Sequence, residues 1–216
     1  MVDLTTIFSD GFTTKSNTDL LPSDAVRPTI NDSVVVKLAE YFKLDIEKGP
    51  WLAGGAVLKS YLGQPMGLSD LDIWFANRAQ FEQVQKLVSD LGCSRVYSTE
   101  NADSYKYYSL DLGTYSIQLI KRKFFDKPEQ IINQFDFTVC QLVTDGIRTI
   151  VGPTTIPDIR ARRLQLSRGL VAESVIPRMI KYMVYGYRPT PELLEEIEAQ
   201  QSKINWTKPH MEYDAV

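Results

Sequence analysis

The stretch from Trp51 to Phe75, WLAGGAVLKSYLGQPMGLSDLDIWF, limits what this chain can fold into more than any other part of it. Its last residues read as a strand whose side chains alternate faces, so Leu71, Ile73 and Phe75 share one side. Asp70 and Asp72 share the other, roughly 6.5 to 7 Å apart along the strand. Such a strand has to border a core on its apolar face and a cleft on its acidic face. Two carboxylates at that spacing repel each other unless a cation lies between them. A hard divalent ion such as Mg²⁺ takes one or two carboxylates and leaves positions for substrate phosphates. Ser-Asp-Leu-Asp is therefore a candidate half-site for metal-dependent phosphoryl or nucleotidyl transfer; the alternative is a strand edge whose aspartates are simply solvated.

Upstream, Trp51-Leu52-Ala53 reads as a short strand that turns at Gly54-Gly55 directly into a helix from Ala56 to Tyr61, closed by Gly63 and Pro65. Glycine lets a phosphate approach the backbone closely, and the first N–H groups of a helix are unpaired donors. Gly54 and Gly55 are thus candidate phosphate-binding residues. The strand-turn-helix-turn-strand unit would bring them to the same end of a sheet as the aspartates, although a glycine pair is also an ordinary turn.

The rest of the chain excludes several other chemistries. His210 is the only histidine, so Ser-His-Asp triads, Cys-His dyads and ordinary zinc sites are out of reach of this chain alone, and any metal is held by oxygen. Cys93 and Cys140 are far apart in apolar or strand-like surroundings, which reads as two buried thiols in a reducing compartment. A net charge of −3 argues against coating nucleic acid by bulk charge but leaves a local basic groove open, and Arg160, Arg162, Arg163, Arg168, Arg178 and Lys181 do cluster. The first residues carry acidic groups where a signal peptide would be positive, and no 18 apolar residues occur together. The expectation is a cytoplasmic protein with no membrane association.

A length of 216 residues suits one substantial domain with a small appendage. Residues 1–29, rich in Thr, Ser, Asp and Pro without a period, read as an extended arm, 30–152 as the main domain and 153–216 as a helical segment packed on it. Within the main domain a helix is expected over 33–43, with Val35, Leu38, Ala39 and Phe42 inward, and another from Asn77 or Arg78 to Leu91. Strands are expected over 94–98, 105–110 and 115–123, a short helix near 128–133, and a long strand-like run over 135–143 paired with 147–151. In the 115–123 strand, Ile117, Leu119 and Lys121 fall opposite Ser116, Gln118, Ile120 and Arg122. Helices over 157–166, 173–185 and 191–204 complete the chain, the last with Thr190 as its N-cap.

With these pieces in order, the chain resembles the head of the CCA-adding enzymes and bacterial poly(A) polymerases, within the DNA polymerase beta-like nucleotidyltransferase superfamily. Gly54-Gly55-Ala56-Val57 resembles the start of Gly-Gly-x-Val-Arg-Asp. Ser69-Asp70-Leu71-Asp72-Ile73 resembles the metal-binding Asp-x-Asp strand, and Asp136-Phe137-Thr138 the end of Arg-Arg-Asp-Phe-Thr. Pro157-Asp158-Ile159-Arg160 and Arg178-Met179-Ile180-Lys181-Tyr182 are similar to the two helical motifs that follow. The chain departs from the pattern at Leu58-Lys59, at Phe135, and at Gln118, which stands where the family has a third carboxylate.

The resemblance implies an α+β nucleotidyltransferase fold, a mixed and mostly antiparallel sheet flanked by helices, with a small helical C-terminal part. It implies a metal-dependent enzyme that moves NMP from a nucleoside triphosphate to an acceptor hydroxyl, on an RNA end or a protein, with pyrophosphate released. Asp70 and Asp72 would bind Mg²⁺ or Mn²⁺, and Asp136 or, alternatively, Asp111 would join them as a catalytic carboxylate in place of the missing third one if the fold brings it there. Gly54, Gly55, Ser69 and Arg178 would contact the nucleotide, and Lys59, Lys121 and Arg122 would neutralise its phosphates. Tyr182, Tyr185 and Tyr187 offer stacking surfaces for RNA or, alternatively, core packing. Because Gln118 is neutral and cannot take a proton from an acceptor, the alternative is a non-catalytic nucleotide- or RNA-binding module that keeps the fold.

Overall fold

The computed structural model of the chain describes residues 13–16, 30–64, 70–109, 113–168 and 172–200. The Asp-x-Asp segment forms β3 (Asp70–Trp74), preceded by β1 (Thr13–Ser16), α1 (Ile30–Phe42), β2 (Trp51–Ala53) and α2 (Gly55–Tyr61). After it come α3 (Arg78–Asp90), β4 (Ser94–Ser98), β5 (Ala102–Ser109), β6 (Gly113–Ile120) and α4 (Pro128–Ile132). The chain continues through β7 (Leu142–Thr144), β8 (Arg148–Val151), α5 (Thr155–Arg160), β9 (Arg163–Leu164), α6 (Ala172–Val184), β10 (Arg188–Pro189) and α7 (Pro191–Gln200).

Strands β1 to β8 make one sheet in the order β1-β8-β7-β2-β3-β6-β5-β4. Neighbours are antiparallel except β3 and β6, which run parallel. This is the mixed, mostly antiparallel sheet flanked by helices that the sequence led us to expect. Parallel neighbours need a long crossover, and here α3, β4 and β5 supply it between β3 and β6. Strand β3 therefore lies inside the sheet, where Leu71, Ile73 and Trp74 are fully buried.

Register then sorts side chains by face. Ala53, Asp72, Gln118 and Ser104 lie in one cross-strand row, and Leu52, Ile73, Leu119 and Asp103 in the next, on the opposite face. Helix α3 covers that second face with Phe81, Val84 and Val88, and Gln85 Nε2 donates to Asp103 Oδ2 at 2.9 Å. Asn77 caps it by accepting from the Gln80 amide. Asp103 is buried, and Lys121 Nζ (2.6 Å), Ser98 Oγ (2.5 Å) and Arg95 Nη2 (3.3 Å) all donate to its Oδ1.

Two expected elements differ. The run over 135–143 is not one strand: Phe137 makes an isolated bridge to Leu166, Thr138–Cys140 is a 3-10 turn, and the ladder begins only at Leu142. The polar groups of Thr138 find partners outside any ladder. Its Oγ1 donates to Asp158 Oδ2 (2.6 Å), its amide donates to the Gln165 carbonyl, and its own carbonyl accepts from Thr155 Oγ1 (2.8 Å). Likewise the helix expected over 157–166 stops at Arg160, where Arg162 adopts a positive φ and the chain enters β9. Helix α7 starts as expected, with the Leu193 amide donating to Thr190 Oγ1. Of the N-terminal arm, residues 13–16 pair antiparallel with β8, and the remainder lies outside the described residues. No helix among the described residues is long and apolar enough to cross a membrane.

Burial pulls the Asp103 carboxyl upward, but the hydrogen bonds from Lys121 and Ser98 and the charges of Lys121 and Arg95 outweigh it and hold the group below its ordinary value. A depressed folded-state value stabilises the protein above the unfolded value, and that stability is lost as pH falls through the folded one. Lys121→Met is expected to cost about 2 kcal/mol at pH 7. Urea titrations over a pH series should show that deficit shrinking below about pH 4 as Asp103 is protonated in the unfolded chain.

Candidate functional site

The turn between β2 and α2 is built on Gly54, whose amide donates to the Leu142 carbonyl at 2.9 Å. Gly54 has φ 82° and ψ −141°, and a Cβ there would lie 2.7 Å from the Phe135 ring, so no other residue fits without strain. Gly55 follows as the first residue of α2, a helix of only seven residues that buries Ala56, Val57 and Leu58 and leaves Lys59 half-buried. A Cβ on Gly55 would lie 3.3 Å from the Tyr182 hydroxyl, so α6 closes over this turn.

Between α2 and α6 lies a cleft of about 410 Å³. Gly55 and Lys59 line it from α2, Asp70 and Asp72 from β3, and Arg178 and Lys181 from α6. Asp70 is exposed at its edge, whereas Asp72 is buried and its Oδ1 has no hydrogen-bond partner. Burial first, then the neighbouring Asp70 charge, pushes the Asp72 carboxyl up to about 8, against the lowering influence of Lys181, Arg178 and Arg122. An acidic pair enclosed by cationic side chains is chemically suited to a metal-bound polyphosphate, the cation meeting the carboxylates and the phosphates the Lys and Arg groups. Among the described residues no three His, Cys, Asp or Glu side chains converge on one point. Two carboxylates with a buried, unpartnered oxygen still fit a hard divalent ion that draws its other ligands from water, amides or phosphates.

A family model described as Gabija anti-defense 2 family protein matches residues 29–162. The chain belongs to that family. No curated protein matches it by sequence. Among solved structures, this Gabija anti-defense 2 family chain is similar to a Thermotoga maritima CCA-adding enzyme complexed with tRNA, at a TM-score of 0.59 and 14% identity. It is also similar to CCA-adding enzymes in complex with ATP (TM-score 0.62, 16% identity) and with CTP (0.61, 15%). Each comparison covers 88% of this chain and 45 or 46% of the other, so the chain spans about half the length of these relatives. At that identity the likeness establishes a nucleotidyltransferase-like fold.

The structure brings Gly55, Lys59, Asp70, Asp72 and Arg178 together around the cleft, while Gly54, Lys121, Arg122 and Asp136 do not line it. Asp136 takes a different place. It does not line the cleft; Arg168 donates to its Oδ1 through Nε (3.0 Å) and Nη2 (2.8 Å), and Arg178 Nη1 donates to its Oδ2. A buried carboxylate taken up on both oxygens by guanidinium groups holds Arg178 in place. Lys121 is on the opposite face of the sheet, bound to Asp103, so it cannot neutralise phosphates in the cleft. Arg122 stacks over Trp74 with its guanidinium carbon 5.2 Å from the ring centroid, outside the cleft lining but within electrostatic reach of Asp72. Ser69 and Asp111 lie outside the described residues.

Of the three tyrosines considered for stacking, Tyr182 and Tyr187 are buried and pack edge-on to each other. Tyr185 is exposed, and Lys59 Nζ sits 5.2 Å from its ring centroid. Cys140 donates its thiol hydrogen to Tyr182 Oη at 2.8 Å, and burial pushes that thiol up to about 12, so it is inert. Lys181 is a cleft residue that motif reasoning did not select. The signal was available in spacing: Arg178, Lys181, Tyr182 and Tyr185 fall at i, i+3, i+4 and i+7 and therefore on one helical face.

Gly54→Ala is expected to destabilise the protein by about 2 to 4 kcal/mol in urea titrations, from backbone strain and the clash with Phe135. Asp72→Asn should act in the other direction when divalent cations are absent. The folded carboxyl titrates above its ordinary value, so wild-type stability is highest below the unfolded value and falls as pH rises through the folded one. The gain of Asp72→Asn over wild type should widen from about pH 4 to about pH 8 and level off above, measured by thermal melts with chelator present.

Proposed function

We propose that this chain is a nucleotidyltransferase that acts against the Gabija defence by moving NMP from a nucleoside triphosphate to an acceptor hydroxyl on an RNA end or a protein. The observation that carries this reading is the pair Asp70 and Asp72 facing the same cleft as Lys59, Arg178 and Lys181. Mg²⁺ or Mn²⁺ held by Asp70 and Asp72 would supply Lewis-acid polarisation of the triphosphate and lower the pKa of an attacking hydroxyl. Lys59 from α2 and Arg178 and Lys181 from α6 approach the cleft from opposite walls, where they hold the phosphates in line and meet the charge that grows on the departing pyrophosphate. Asp136 fixes Arg178 through a second guanidinium, which keeps a flexible side chain aimed at the substrate.

A second reading, nucleotide binding without transfer, is favoured by one observation: with Asp136 occupied, no third carboxylate joins Asp70 and Asp72 among the described residues. Incubation with α-labelled nucleoside triphosphates, Mg²⁺ or Mn²⁺ and mixed RNA and protein acceptors separates the two. Label transfer that disappears in Asp70→Asn and Asp72→Asn supports the enzyme. Thermal stabilisation by nucleotide with no transfer to any acceptor supports the binding module. In cells carrying the Gabija system, wild-type chain is expected to relieve the defence and both variants to fail at matched expression.

A further inference from the structure

Gln118 sits on β6 beside Asp72 of β3, in parallel register and on the same sheet face, with the strands roughly 4.8 Å apart. Both side chains are buried, at 3% and 7% exposure, and the same two side chains each carry a buried oxygen without a hydrogen-bond partner, Gln118 Oε1 and Asp72 Oδ1. Leaving such acceptors unpaired costs about 1 to 3 kcal/mol each. With Asp72 ionised both oxygens are acceptors and cannot satisfy one another, and on the far side of Asp72 its β2 neighbour is Ala53, which has no side-chain donor to offer. One electropositive group shared by the two oxygens would satisfy both.

We propose that Gln118 Oε1, Asp72 Oδ1 and the Asp70 carboxylate form a three-oxygen site for a single Mg²⁺ or Mn²⁺, with Gln118 as its neutral ligand. The inference rests on the proposed nucleotidyl-transfer reading and specifies how its cation is held. The donors are all oxygen, two carboxylates and one amide carbonyl, the set that hard divalent ions select. Cys140, the sulfur that lines the same cleft, is engaged with Tyr182 and adds no soft ligand. Two carboxylates bring two negative charges, which one divalent ion neutralises; an amide adds an oxygen without adding the charge that a second ion would require.

The test is Mn²⁺ binding by the full chain, followed by electron paramagnetic resonance of the unbound ion, alone and with ATP, for wild type, Gln118→Met and Gln118→Glu. Met keeps the length of the side chain and removes the oxygen; Glu returns an oxygen with charge, and thermal melts establish that each variant is folded. Expected are one Mn²⁺ per wild-type chain, a loss of affinity of about tenfold or more in Gln118→Met, and affinity at least equal to wild type in Gln118→Glu. Equal Mn²⁺ affinity in wild type and folded Gln118→Met, or two ions per wild-type chain, overturns the proposal while leaving nucleotidyl transfer intact. No Mn²⁺ binding by wild type, with or without ATP, overturns this site and the metal-dependent function together.

Discussion

The parallel pairing of β3 with β6 inside an otherwise antiparallel sheet is the constraint on which the rest of the structure depends. It places a carboxylate, Asp72, in the interior of the sheet, flanked by Ala53 on one side and Gln118 on the other. A charge in that position is costly unless paired. The protein surrounds it with Arg122, Arg178 and Lys181, yet the proton on Asp72 is held to about 8 because burial and Asp70 outweigh those cations. The site is thus left short of positive charge at its centre, in the place where a bound ion would supply it.

The opposite wall of the cleft exists because α6 is tied down at several points. Asp136 receives Arg168 and Arg178, and Tyr182 lies over Gly55 while bonded to Cys140 and packed edge-on to Phe137. These contacts turn a strand with two aspartates into an enclosed cleft. They also explain why two of the motif residues, Gly54 and Asp136, serve the architecture of the site without lining the cleft, while Tyr182 both lines and closes it. Gly54 is needed for its backbone angles and for room beside Phe135, Asp136 for the placement of Arg178, and Tyr182 for closure over the turn.

Much of this was legible in the residues themselves. Alternation along Leu71, Asp72 and Ile73 identifies a strand with two unlike faces; the apolar stripe of Val35, Leu38, Ala39 and Phe42 identifies a packed helix; Thr190-Pro191 marks a helix start. Each depends on neighbours within a few positions, so the chain specifies it locally. The strand expected over 135–143 failed for the complementary reason: Thr138 spends its polar groups on Asp158, Thr155 and Gln165, none of them near in sequence.

The sequence by itself determined that Asp70 and Asp72 share a strand face, that a glycine turn precedes them, and that a metal here would be bound by oxygen. Only the tertiary structure decided which other charged residues join them. Lys121 and Arg122 are adjacent in sequence, yet one binds Asp103 on the far face and the other stacks on Trp74 near Asp72. Asp136, a sequence candidate to stand in for the missing third carboxylate, is claimed by two arginines from farther along the chain. Gln118 is brought beside Asp72 from a separate strand, and Lys181 is brought to the cleft by the docking of a whole helix. The partner of a charge is set by distance in space and by burial, and neither is a property of local spacing.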